Sequence, residues 1–484
     1  MQFNSLAFAA FIAVVLSLYF VAGLRGHVRT QNVLLLASSY FFYGWWDWRF
    51  LGLLAVSTVV DYAVGIGIAN HVERTQSRRG PKGLLLVSLF VNLTILGVFK
   101  YFDFFVNSAG ALLSQFGLEP NLPLLNVILP VGISFYTFQT IAYTYSVYKG
   151  DTPATRDFVS FAVYVAYFPQ LVAGPIERAQ RLLPQIQSPR QTSAEQFKTG
   201  CQLILLGLFK KIAIADAVAG HVQEVYSDPG ACSSSTLLMG TYLFAIQIYG
   251  DFSGYTDIAR GVSRVMGIEL ILNFRQPYLA SNITDFWRRW HISLSTWLKE
   301  HLYIPLGGNR HGAAKMYRNL MLTMLLGGLW HGAGWNFVIW GGLHGLYLAV
   351  HKLWMSATSR TVDAARGVLR KLIGGLVTFH LVCLAWIFFR AANEKEQGPL
   401  RVAWQVIEGI GKCEFKPTDQ VPWTAMLLIP VALMIDYLSA SRNRQLPLDA
   451  RTPLFFRGLV YGSAVVMILL ANSSGDVPFI YFRF

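Results

Sequence analysis

Six of the ten histidines fall within residues 285–351: His291, His301, His311, His331, His344 and His351. Two of them have surroundings that suit acid–base work. His331 lies in Gly327-Gly328-Leu329-Trp330-His331-Gly332, an interruption between two apolar runs. An imidazole takes a proton from an alcohol near neutral pH, and a polar group among membrane-type runs is costly enough to mark a functional candidate. Gly327, Gly328, Gly332 and Gly334 let a substrate or another backbone approach closely. The competing account is a packing histidine bonded to a neighbouring helix, which leaves the glycines unexplained. His291 closes Phe286-Trp287-Arg288-Arg289-Trp290-His291. Part of that segment reads as an interfacial helix with snorkelling arginines, and His291 is the second candidate for a catalytic or substrate-orienting group.

The other titratable groups offer less. Asp251 and Asp257 lie in the otherwise apolar YGDFSGYTD. Buried carboxylates need partners, so these two either pair with arginines of the basic block or orient a histidine. His301, His311, His344 and His351 show no HExxH or HxH spacing and have no cysteine near them, so no metal is expected. GxSxG, P-loop and GxGxxG patterns are absent. Phe252-Ser253-Gly254 lacks the glycine two residues before the serine, which removes covalent serine chemistry.

The elements that must position these residues are membrane helices. Of 484 residues 54% are hydrophobic and only 14% charged, with mean hydropathy +0.42, against about 25% charged in soluble domains. The chain reads as an all-α polytopic membrane protein, one integral domain over 1–484 with its core near 122–352. The net charge of +14 fits the positive-inside rule and attraction to anionic headgroups. No soluble basic face is visible for nucleic acid, though cytosolic charges would also draw an anionic donor such as a CoA thioester. Cys201, Cys232, Cys383 and Cys413 show neither CxxC nor zinc spacing, and Cys201 and Cys383 read as inert packing residues. The first apolar run has no basic residues before it and reads as a retained span.

Apolar runs and Lys/Arg flanks place spans at about 6–24, 32–46, 51–70, 84–106, 122–148, 200–220, 236–266, 372–389, 423–439 and 456–471. Both termini then face outward. The segment 390–422 reads as an external loop and 273–317 as a cytosolic basic block. Two stretches have basic flanks on one side only, 158–175 and the pair 319–329 and 336–350. Each reads as re-entrant, and eleven residues of helix reach only about 16 Å, half of a bilayer core. Such broken helices place polar groups at mid-membrane sites. The total is ten or eleven transmembrane helices plus re-entrant half-helices.

These residues resemble a known family. FWRRWHISLSTWL, YIPLGGNR, RNLMLTMLLGGLWHGA and WGGLHG, with LPVGISFY, AGPI, YGDFSGYTD, Asn273-Phe274, Gln276-Pro277-Tyr278 and the tail PFIYF, are similar to the membrane-bound O-acyltransferases, in particular the bacterial branch that acetylates alginate. The resemblance implies a ring of tilted helices around a central tunnel. It implies His331 as general base and His291 as the second polar position. It implies a cytosolic acyl donor, expected to be acetyl-CoA, with no further cofactor. It also implies a periplasmic SGNH-type acetyltransferase partner and a polysaccharide acceptor. The expected location is the bacterial inner membrane. Arg288, Arg289 and Lys299 would meet the donor phosphates, and Trp287, Trp290, Asn309, Trp330, Asp251 and Asp257 complete the expected substrate-binding set. Transfer could be direct or pass through an acyl-His331. Alginate is the first acceptor considered, with peptidoglycan or cellulose as alternatives. A transporter or flippase using the histidines as a proton relay, and a non-catalytic scaffold, are the rival classes.

Overall fold

The computed structural model describes residues 1–24, 27–76, 80–118, 121–357, 367–416, 421–441, 452–471 and 478–480. The expected basic flank at Arg360 and Arg366, the turn at 442–451, and Tyr481 and Phe482 of the tail lie outside them. Among the described residues every regular element is helical. Four helical stretches are long and apolar enough to cross a membrane: Trp48–Thr75, Lys82–Gln115, Val368–Ala391 and Leu454–Ala471. Leu6–Val21 and Trp423–Leu438 are shorter apolar helices. The expected ten or eleven spans therefore exceed what length and hydropathy alone pick out.

The chain packs as two compact units, one of residues 1–201 and 259–271 and the other of residues 202–258 and 272–484. In the first, the helix Leu51–Thr75 packs on Lys82–Leu96 and Ile133–Lys149. Asp61, fully buried, accepts hydrogen bonds from Ser88, Asn92 (2.6 Å) and Thr144 (2.6 Å). The three helices are pinned through one carboxylate, because a buried polar group left unmatched is expensive. The expected span at 122–148 begins later, as Ile133–Lys149. Pro123 and Pro130 remove backbone donors, and Gly132 takes φ 78°. The stretch 158–175 is broken as expected: Phe158–Ala166 ends at Tyr167, and the short turn Phe168–Leu171 follows.

The second unit holds the histidines. Its centre is the hairpin of Ala313–His331 and Trp335–Ala357, joined by residues 332–334. The first of these was expected as an eleven-residue half-helix from 319. It has 19 residues and reaches about 28 Å. Lys315 and Arg318 mark where the apolar run starts, but helical hydrogen bonding continues through them. The two helices meet at glycines. A Cβ at Gly328 would lie 2.1 Å from the Phe337 carbonyl oxygen, and one at Gly341 would lie 2.3 Å from the Met324 oxygen. Both obstacles are backbone, which cannot swing aside. Gly341→Ala is expected to destabilise the protein by about 1–3 kcal/mol through overpacking. Thermal unfolding in detergent would show it; an unchanged midpoint would mean that the hairpin separates freely. The expected loop at 390–422 also contains a helix, Pro399–Gly411, which buries Val402, Ala403 and Val406 completely.

Candidate active site

His331 is the last residue of Ala313–His331, and the residue is 4% exposed. Gly332 follows in extended backbone, and a Cβ there would collide with the Phe337 ring at 2.1 Å. The helix therefore ends on the histidine because only glycine fits next. Three aromatic rings enclose the imidazole edge-to-face: Trp330 at 5.0 Å, Trp340 at 4.9 Å and Phe389 at 5.4 Å.

His291 lies between the short helices Ile283–Arg289 and Ile292–Leu298. Its backbone is left-handed, φ 43° and ψ 56°. For a residue other than glycine that conformation costs about 1–3 kcal/mol and persists only where neighbours impose it. Asn273 imposes it. The Asn273 carbonyl accepts from the Ile292 amide at 2.9 Å. Its side-chain Oδ1 accepts from the Ser293 amide (3.1 Å) and hydroxyl (2.9 Å). An atom that accepts from a backbone N–H is an oxygen, so His291 Nδ1, 3.2 Å away, must donate to it. The neutral ring then carries its proton on Nδ1 and a lone pair on Nε2. That Nε2 is buried, with no hydrogen-bond partner among the described residues. Burial pushes the imidazole down to about 3, so it stays neutral at physiological pH.

The two imidazole centroids are 6.4 Å apart. A hydrogen-bonded oxygen sits about 4 Å from an imidazole centroid, so at this spacing the two rings border one site and can engage neighbouring groups of a single substrate. Asn273→Ala would free the His291 ring and is expected to lower turnover by on the order of 10²-fold through misplacement. Asn273→Asp, which keeps the oxygen, should retain more. Equal activity in both folded variants would remove Asn273 from the site.

The remaining expected residues divide. Trp330 and Trp287 belong to the cluster. Trp330 touches both histidines, and the Trp287 indole N–H donates to His344 Nδ1 at 3.3 Å. Trp290 is a buried packing residue against Phe274 (5.0 Å), Trp386 (5.1 Å) and Phe286 (5.6 Å). Arg288, Lys299 and Asn309 are exposed, and Arg289 pairs with Asp285 at 2.9 Å. Asp251 and Asp257 pair with lysines, not with arginines of the basic block. Lys211 contacts Asp251 at 2.9 Å and Asp216 at 2.7 Å, and Lys210 contacts Asp257 at 2.7 Å. Both lysines lie in the π-helical stretch Phe209–Asp216. Among the described residues no cluster of three His, Cys, Asp or Glu could hold a metal. Asn273, Trp340 and Phe389 were not singled out for the site. Asn273 is eighteen residues before His291, and nothing in that spacing points to a contact. Trp340 and His344, four apart, do share a helix face, which was the available signal.

Residues 152–391 match the family model described as MBOAT, membrane-bound O-acyltransferase family. The chain is 44% identical to a probable alginate O-acetylase of Azotobacter vinelandii, covering 84% of this chain and 77% of that protein. A probable alginate O-acetylase of Pseudomonas putida is 38% identical over the full length of both chains. A peptidoglycan O-acetyltransferase of Helicobacter pylori is also 38% identical, over 78% of this chain and 73% of its own.

Proposed function

This chain belongs to the membrane-bound O-acyltransferase family, and from that premise we propose that it moves an acetyl group from a cytosolic acetyl-CoA to an extracytoplasmic polysaccharide. It is a membrane protein and an O-acyltransferase, which sets aside the transporter and scaffold readings. The observation that carries the proposal is the buried pair of His291 and His331, 6.4 Å apart. His331 takes the proton of an acceptor hydroxyl as its oxygen attacks the thioester carbonyl. The C–O bond forms, the C–S bond breaks, and the thiolate leaves with the proton returned from the imidazolium. His291 offers a lone pair and no proton at Nε2, so it accepts from a neighbouring hydroxyl of the acceptor, not the one that His331 deprotonates, and it does not polarise the carbonyl. Exposed Arg288 and Lys299 are suited to the phosphates of the donor. The proposed location is the bacterial inner membrane. The names of its relatives support alginate as acceptor, with peptidoglycan as the second case, and the proposed route to the glycan is a periplasmic SGNH-type partner.

The test is reconstitution in vesicles with labelled acetyl-CoA on one face and partner plus alginate oligosaccharide on the other. Label should appear on the glycan across the membrane and vanish when the partner is omitted. Label confined to the donor face would contradict transfer across the bilayer.

A further inference from the structure

Among the buried donors of the second unit that have no acceptor among the described residues, two share one helix beside His331. Trp340 and His344 lie on successive turns of Trp335–Ala357, 1% and 0% exposed, with ring centroids 4.7 Å apart. An indole N–H only donates. The Trp287 N–H bond to His344 Nδ1 therefore fixes the lone pair of His344 at Nδ1 and its proton at Nε2. Neither this Nε2–H nor the Trp340 Nε1–H has a hydrogen-bond partner among the described residues. Buried donors are normally satisfied, and each exception calls for an explanation. Packing does not supply one, because Phe286 and Phe389 line the same cluster with no polar atom to satisfy. Trp340 also lies edge-to-face against His331 at 4.9 Å.

The polarity of these groups is complementary to acyl transfer. His331 takes the proton of the attacking hydroxyl, and His291 presents an acceptor to a neighbouring one. Trp340 and His344 present donors where an oxygen would gain negative charge. We propose that Trp340 Nε1–H and His344 Nε2–H recognise the thioester carbonyl oxygen of the acyl donor and stabilise it as it becomes an oxyanion. Preorganised donors aimed at developing charge act most strongly in a site that excludes water. Trp287 is then a positioning residue, since it sets which nitrogen of His344 holds the proton. This assignment rests on the acyl-transfer function proposed above.

The experiment compares wild type with Trp340→Phe, His344→Phe and His344→Gln in the full-length protein. Glutamine can accept from Trp287 and still donate, so it separates hydrogen bonding from packing. Turnover of acetyl-CoA should fall by about 10²- to 10³-fold in both phenylalanine variants, with KM rising by no more than the lost carbonyl preference and with substantial recovery in His344→Gln. Binding of two inert donors gives a second readout. Wild type should bind the ketone analogue S-acetonyl-CoA more tightly than S-ethyl-CoA, which lacks the carbonyl, and Trp340→Phe should lose that preference. Folded phenylalanine variants with wild-type turnover and an intact carbonyl preference would overturn the pair alone. A His344→Gln variant as inactive as His344→Phe would show that shape, not donation, matters there, and would overturn it too. Wild type that consumes no acetyl-CoA with a partner present would remove the acyl-transfer function itself and the pair with it.

Discussion

Replacing His331 by alanine is expected to lower acyl transfer by on the order of 10² to 10⁴, with the protein still folded. The imidazole ends its helix and makes ring contacts with Trp330, Trp340 and Phe389, so truncation leaves a cavity but no broken helix. With donor binding proposed for other groups, the loss should appear in kcat while KM stays near its original value, the signature of an interaction made in the transition state. Steady-state kinetics on wild type and His331→Ala, with circular dichroism to establish folding, measure it. A folded variant with unaltered kcat would exclude His331 as the base.

Lys211→Met is expected to destabilise the protein by about 3–5 kcal/mol, the range for breaking a buried pair from one side. Lys211 is 4% exposed and is shared by Asp216 and Asp251. Removing it leaves two carboxylates facing each other's charge in an apolar surrounding. Asp251 also accepts the Ile480 amide at 2.7 Å, so the variant should loosen the attachment of the carboxyl-terminal segment. The triple variant Lys211→Met, Asp216→Asn, Asp251→Asn should regain much of the loss, because it deletes charges along with their partner. Thermal unfolding of the three proteins reads both effects. A single variant as stable as wild type would mean that the carboxylates are neutralised by something other than Lys211.

His331 and His291 were legible in the sequence because an imidazole between apolar runs is conspicuous and the glycines around His331 have no use in a plain span. The hydrophobic pattern also gave the helical class. It misplaced helix ends for a physical reason: composition marks where apolar character stops, whereas a helix continues while its backbone bonds are made. Ala313–His331 runs through Lys315 and Arg318, where the apolar run alone suggests a start at 319. The partners of Asp251 and Asp257 were illegible because Lys210 and Lys211 lie some forty residues upstream, on a π-helical stretch that no residue pattern announces. Asn273 escaped for the same reason. Its role exists only once the left-handed His291 folds back over it.

The most direct test of the central claim is acetyl release from labelled acetyl-CoA by four purified proteins: wild type, His291→Ala, His331→Ala and the double variant, each assayed with the periplasmic partner. If the two imidazoles act on one substrate, His331 as the base and His291 as the group that holds the acceptor, they work as a unit, and the effects of their removal are strongly non-additive. Either single variant should lose nearly as much activity as the double. Release at the wild-type rate from a folded His331→Ala, or two single losses that simply multiply in the double, would contradict it.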